Sequence, residues 1–349
     1  MKKVMMLLMS VLLIGVLTAC GATGSSDGAA TTGQDSGKEK AANGELRKVT
    51  VQIDGAAVPY YAPMYVAKEQ GFFEEQGLDV EFLYADAATI IRNVAANNVQ
   101  FGFPNADTVV TAKSQDLPVK VVHTTYQHGL GATIFKKSSG ISTPADLKDK
   151  TIAVTSYGSP NYIQLQVLLE SHGLSIRDVN VKIVGSGAIV NALVADEVDA
   201  IIFSMLRTVE LQNSGEDVAE FRSDEVLPSF GNVVVTSESY LASNKEDVIG
   251  FTTALDQALD YIIKGGNIES SIQMSVEKYA PTFAGKEEVV AKIFNEVFVP
   301  YLWQSELTKT EGYGAADMAR WQTAIDSQQK FGIIADSFPA EELVLTNLK

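Results

Sequence analysis

From Lys48 onward the apolar positions switch between two periods, and the switching predicts strands and helices in turn. Val49, Val51 and Ile53 alternate with polar neighbours, which is the pattern of a strand with one buried face. Residues 64–76 carry a helical pattern that Gly77 stops, and 78–83 return to strand. Residues 88–98 place Ile90, Ile91, Val94 and Ala95 on one helical face. Residues 100–103, 119–123 and 132–135 then read as three more strands.

A second unit of the same kind begins near residue 140. Thr143-Pro144-Ala145-Asp146 is a helix start: Thr caps, Pro suits the first position, and Asp follows three residues after the cap. Strands are predicted at 151–155, 181–184 and 200–203, helices at 161–172 and 189–195, and a return strand at 233–236. The tail is helical. Ser243 and Glu246 form a capping-box pair ahead of Phe251, Ala254, Leu255, Ala258, Leu259, Ile262 and Ile263, which recur at helical spacing until Gly265-Gly266. Further helices are expected at 270–279, 286–297 and 315–331. Alternating strands and helices imply an α/β fold of mostly parallel sheets with helices on both faces. Two lobes are expected, one from 47–138 with 236–349 and one from 139–235, with a ligand between them.

The N-terminal pattern differs. Lys2 and Lys3 precede an apolar run over 4–17, which reads as a signal peptide over 1–19. The run is shorter than the ~20 apolar residues a spanning helix needs. Leu17-Thr18-Ala19-Cys20 resembles the bacterial lipobox, which implies cleavage before Cys20, acylation of that residue and a membrane anchor. Residues 20–46 offer almost nothing apolar to bury and are expected to act as a disordered tether. Cys20 is the sole cysteine, so an internal disulfide and a cysteine-based metal site are excluded. The formal charge of −16 argues against a nucleic-acid partner.

Tyr60-Tyr61-Ala62-Pro63-Met64-Tyr65-Val66-Ala67-Lys68-Glu69-Gln70-Gly71-Phe72-Phe73-Glu74-Glu75-Gln76-Gly77-Leu78-Asp79-Val80 resembles the first helix of a known family. That family comprises the nitrate/sulfonate/taurine and thiamine-precursor (pyrimidine) binding proteins of ABC transporters. Ser142-Thr143-Pro144-Ala145-Asp146-Leu147-Lys148-Asp149-Lys150-Thr151-Ile152-Ala153-Val154 is similar to its entry into the second lobe. Asn191-Ala192-Leu193 and Glu197-Val198-Asp199-Ala200 are similar to its second-lobe helix and strand. The resemblance implies a two-lobed periplasmic-binding-protein fold (type II), with two crossovers between lobes. It also implies an extracytoplasmic, monomeric binder of a small solute that delivers to an ABC permease and uses no cofactor. Pro59-Tyr60-Tyr61-Ala62-Pro63 is most similar to members that bind or make the thiamine pyrimidine and to flavin-binding relatives. Those often read Pro-Tyr-His-Ala-Pro; here Tyr61 replaces the His. The pyrimidine-making relatives need a cysteine-rich segment and histidines for iron, and this chain has no cysteine after Cys20.

In open α/β sheets ligands bind beyond the carboxyl ends of strands, and four loops meet that condition. The first runs from Asp54 to Tyr60 and Tyr61; the second holds Asn105 and Asp107. The third is Ser156-Tyr157-Gly158-Ser159, followed by Asn161 and Tyr162. The fourth holds Ser204 and Arg207. Tyr60, Tyr61 and Tyr157 offer ring faces, and Asp54 and Asp107 accept from ring N–H groups. Ser159 or Asn161 could instead cap a helix, as could Asp107, and Arg207 could pair with Glu210. His123, His128 and His172 are scattered, so no metal site is expected. The residues favour a heteroaromatic solute such as a thiamine-pyrimidine precursor or a flavin-like vitamin. The alternatives are a small oxyanion (nitrate, alkyl sulfonate or taurine) and, in another class, an exported enzyme related to thiamine-pyrimidine synthesis or a surface adhesin.

Overall fold

The computed structural model describes residues 46–157, 159–346 and 348. The expected signal peptide, Cys20 and all of the expected tether except Leu46 lie outside the described residues, as does Gly158. The first strand, β1 (Arg47–Asp54), forms where expected and buries Val49, Val51 and Ile53. It pairs in parallel with β2 (Leu78–Ala85) on one side and β3 (Phe101–Phe103) on the other. The chain then lays down β4 (Val119–His123) and crosses to a second sheet. That sheet contains β5 (Gly131–Lys136), β6 (Thr151–Val154), β7 (Asn180–Ile183), β8 (Ala200–Ser204) and β9 (Val218–Arg222). A second crossover returns to β10 (Val234–Ser237) in the first sheet. The orders are β2-β1-β3-β10-β4 and β7-β6-β8-β5-β9. In the first sheet β10 alone runs against the others, and in the second β5 does.

The expected lobe boundaries shift accordingly. Residues 131–136 were assigned to the first lobe, yet β5 lies between β8 and β9 in the second sheet and buries Ala132 and Ile134 there. Residues 234–235 were assigned to the second lobe, yet β10 pairs with β3 and β4. Each strand goes where both of its edges find hydrogen-bond partners, a demand that local pattern does not express.

Helix boundaries moved for local reasons. The helix expected over 64–76 is two, Ala62–Glu69 and Phe72–Glu75, because Gly71 takes a left-handed φ of 78° between them. Ser243 is not the cap expected of it: it ends the helix Glu238–Ser243, and Lys245–Ile263 starts after Asn244 without a side-chain cap. The helix expected over 286–297 becomes Glu287–Ile293 followed by a π-helical stretch, Phe294–Leu302, that contains Pro300. The Thr143–Asp146 capping box forms as read, on the short helix Pro144–Leu147.

The late helices pack back onto the first sheet. Phe251 of Lys245–Ile263 stacks on Phe101 with centroids 4.2 Å apart and on Phe73 at 5.0 Å. Met318–Lys330 docks Trp321 on Phe230 at 4.5 Å, and the buried indole donates to Thr124 Oγ1 at 3.3 Å. Both crossovers are pinned to this C-terminal segment through buried Asp224. Its carboxylate bonds with His128 Nδ1 at 2.8 Å, accepts from Arg320 Nη2 at 2.9 Å, and also accepts from the Tyr301 hydroxyl. Among the described residues no helix is long and apolar enough to cross a membrane.

Candidate functional site

Two adjoining cavities open between the sheets, at the carboxyl ends of β3 and β8. The inner one, about 210 Å³, is walled by Asn105 and Asp107 from the first sheet's side and by Asn161, Gln164, Phe203 and Ser204 from the second. The outer one, about 270 Å³, continues past Asp107, Pro160, Gln164 and Ser229, which line both. Its far wall is the C-terminal helix Met318–Lys330 and Ile333.

Local sequence fixes the first wall. Asn105 is the N-cap of Ala106–Lys113; its Oδ1 accepts from Thr108 N at 3.0 Å and Thr108 Oγ1 at 2.9 Å. Asp107 therefore need not cap and sits in the first turn. Gln328 ties this helix to the C-terminal one: its Nε2 donates to the Asp107 carbonyl at 3.1 Å, and its Oε1 accepts from Thr111 Oγ1 at 3.1 Å. On the opposite wall Ser159 caps Pro160–Glu170 by accepting from Tyr162 N at 3.3 Å, the local role weighed for it. That cap starts the helix that brings Asn161 and Gln164 to the cavity wall. Asn161 Nδ2 donates to the Ile202 carbonyl at 3.2 Å. Gln164 is 7% exposed, and its Oε1 has no hydrogen-bond donor among the described residues. A buried acceptor left unpaired costs free energy that a bound donor would recover. Ser204 Oγ is held by Leu206 N at 3.4 Å and faces the same inner space.

Other expected residues stand elsewhere. The ring of Tyr60 is in the core, stacked on Phe298 at 5.3 Å and edge-on to Phe283 at 5.8 Å. Tyr61 meets Phe103 edge-on, and its hydroxyl donates to the Asp54 carbonyl at 2.6 Å. Burial raises the Asp54 carboxyl above its ordinary value, with the Asn105 amide opposing the shift. Ser156 uses its carbonyl to hold Ser159 Oγ at 2.8 Å. Tyr157 is 62% exposed and touches Tyr162 edge-on. Arg207 ion-pairs with Glu210, one turn on, instead of facing the cavities. Sequence reasoning missed Gln164, Phe203, Ser229 and the C-terminal wall. Gln164 had a signal, lying one turn after the Ser159 cap on the helix already singled out. The C-terminal wall had none, since nothing local says where a late helix docks.

Burial pushes the Asp107 carboxyl up to about 6, with the Gln328 side chain opposing. A value raised on folding means that the folded state binds the proton more tightly than the unfolded state does. The ionised carboxyl therefore costs stability above about pH 6, and that cost fades as pH falls toward about 4. Asp107→Asn should accordingly raise the melting temperature at about pH 7.5 and change it little near pH 4. A solute N–H donates more strongly to the ionised Asp107 than to the protonated one, so its affinity should fall as pH drops through about 6. Thermal melts and titrations across that range check both trends.

A family model described as NMT1/THI5 like matches residues 58–265, more than half of the chain. The chain belongs to the NMT1/THI5-like family. The riboflavin-binding protein RibY of Chloroflexus aurantiacus is 27% identical over 340 residues, covering 96% of this chain and 95% of that protein. A 4-amino-5-hydroxymethyl-2-methylpyrimidine phosphate synthase of Aspergillus parasiticus is 26% identical over 231 residues, covering 62% and 67%. Among solved structures, a sulfonate-binding SsuA from Methylobacillus flagellatus superposes with a TM-score of 0.68 at 17% identity, over 87% of this chain and 93% of that one. That likeness assigns the periplasmic-binding-protein fold. The family match includes Asn105, Asp107, Asn161, Gln164 and Ser204 and stops short of the C-terminal helix.

Proposed function

We propose that this protein is the extracytoplasmic solute-binding component of an ABC importer, taking a planar heteroaromatic solute of pyrimidine or flavin kind between its lobes. The observation that carries the reading is the inner cavity's lining. Asn105, Asp107, Asn161 and Gln164 supply acceptors and donors for ring N–H and carbonyl groups, and Phe203 and Phe230 add apolar surface to the lining. Among the described residues lining the two cavities there is no Lys, Arg or His. That disfavours a small oxyanion, as does Asp107, whose charge would oppose it. Arg207, the cation considered for that role, is already paired with Glu210. The end-to-end similarity to a riboflavin-binding protein supports binding. A single cysteine at position 20 supports binding over synthesis.

Native mass spectrometry of freshly purified protein should show a bound aromatic heterocycle. Thermal shifts against pyrimidines, flavins, nitrate and alkyl sulfonates should respond to the first two. A true ligand at a hundredfold excess over Kd stabilises by about 2.7 kcal/mol. Shifts with the anions alone would sink the heteroaromatic reading, and turnover of a pyrimidine precursor would move the protein to the enzymes. Delivery to a membrane permease, action as a monomer and acylation of Cys20 belong to the same proposal. Cys20→Ser should leave the membrane fraction and take up no labelled acyl chain; membrane retention with label would disprove the anchor.

A further inference from the structure

Asp107 is the one titratable side chain among the described residues that line the two cavities. Its carboxyl is buried, and the group that opposes this burial is the Gln328 amide, with no charged neighbour helping it among the described residues. The charged side chains of the surrounding elements are engaged elsewhere. Lys113, on the helix of Asp107, pairs with Glu238, and Arg92, on the helix Ala87–Ala95, donates to Thr89. Asp54, at the end of β1, is met by the Asn105 amide. On the C-terminal helix Arg320 pairs with Asp224, Asp326 accepts from Gln322 and Ser337, and Lys330 lies over the Phe331 ring. Pro160–Glu170, on the opposite wall, carries its one charge at its last residue.

Gln328 is 5% exposed and is held through both its main chain and its side chain. Its own carbonyl accepts from Ile333 N at 2.8 Å. Its Nε2 donates to the Asp107 carbonyl at 3.1 Å and reaches Asp107 Oδ1 at 3.5 Å, while its Oε1 takes the Thr111 hydroxyl at 3.1 Å. A flipped amide would set its oxygen against both Asp107 acceptors, so the network fixes which end donates. An amide N–H beside a desolvated carboxylate favours the charged form of the acid. The helix that carries Gln328 is seated by Trp321, which is fully buried against Phe230. Position 328 lies beyond residue 265, where the family match ends.

We infer that Gln328 is a positioning residue of the solute site, whose amide holds the Asp107 carboxylate in place as the acceptor that a solute N–H meets. Its effect is exerted through Asp107. This rests on the heteroaromatic reading above and deepens it: the C-terminal helix, and not the strand-end loops alone, sets the pH range over which the solute is held. Without the amide, burial acts on Asp107 unopposed, the carboxyl keeps its proton to a higher pH, and affinity is lost sooner as pH falls.

The test uses the full chain and two variants. Gln328→Met keeps the bulk and removes the amide; Gln328→Glu keeps the shape and sets a second carboxyl beside Asp107. Circular dichroism verifies that each is folded. Carbon-13 NMR of the Asp107 carboxyl, recognised as the signal that Asp107→Asn removes, follows its titration with no solute present. The midpoint, about 6 in the wild type, should rise by about one unit in Gln328→Met and by more in Gln328→Glu. Calorimetric titration with riboflavin and with 4-amino-5-hydroxymethyl-2-methylpyrimidine reads the consequence. For whichever probe binds, Gln328→Met should be about fivefold weaker than the wild type at about pH 6 and within about twofold of it at about pH 8.5. An unmoved carboxyl midpoint overturns the inference, as does affinity lost equally at both pH values, which is what a residue that merely packs the helix would give. A midpoint that moves while affinity does not follow overturns the positioning role and removes Asp107 from the solute's contacts. Should neither probe bind the wild type, the heteroaromatic reading fails and this inference falls with it.

Discussion

Tyr60→Ala should cost the fold about 3–5 kcal/mol, the range for deleting a large buried aromatic ring, while solute affinity in the folded fraction changes less than about threefold. The ring is 9% exposed and is stacked on Phe298, with Phe283 and Phe294 also against it. Its carbonyl takes the Tyr126 hydroxyl at 2.9 Å, and its own hydroxyl reaches Glu210 Oε1 at 3.5 Å, near the limit of a hydrogen bond. All of these partners are protein groups. From sequence, Pro59 and Pro63 suggested a rigid turn that presents Tyr60 and Tyr61 to a ligand. The turn is there, as the short helix Pro59–Tyr61, but it directs Tyr60 inward under the π-helical stretch. Chemical denaturation combined with calorimetric titration decides the matter. A loss of ten- to a hundredfold in affinity with stability intact would return the Tyr60 ring to the solute site.

Gly131→Ala should weaken binding by at least about tenfold with a smaller loss of stability. A Cβ at this position would lie 2.0 Å from Gln164 Oε1 and 2.6 Å from Cδ, so the glutamine must move. Gln164 lines both cavities, and its displaced amide occupies space or polar contacts that the solute needs. Gly131 opens β5, so the backbone there is held by pairing with Ser204 of β8 and cannot retreat cheaply. Gln164→Ala tests the same point from the other side. It removes the unpaired acceptor without a clash, and should lose the solute's hydrogen bond while sparing the fold. If Gly131→Ala binds as the wild type does, the inner cavity is not where the solute sits.

How much of this was readable along the chain varied with the kind of signal. Local pattern alone gave two of the first-sheet strands: alternation of Val49, Val51 and Ile53 for β1, and a short apolar run over 119–123 for β4, which is buried on both faces. Strand β9 was missed, since its five residues carry a Glu and an Arg, and Glu220 is held by Thr208 and Arg222. The helix Leu206–Asn213 was missed too; its pattern is short and mostly polar. Loops ending at Asn105, Asp107, Asn161 and Ser204 were chosen from the rule that ligands sit beyond strand carboxyl ends, and those four residues do line one space.

The amino-acid sequence by itself determined the α/β class, most strands, the cap at Thr143 and the family, because these rest on periods and motifs a few residues long. Tertiary structure alone decided which sheet takes β5 and β10, whether Tyr60 faces solute or core, and that the C-terminal helix walls the outer cavity. The physical reason is common to all three. Each depends on partners far away in the chain: β8 and β9 for β5, Phe298 for Tyr60, Asp107 and Thr111 for Gln328. Burial and hydrogen-bond satisfaction select those partners only once the chain is folded.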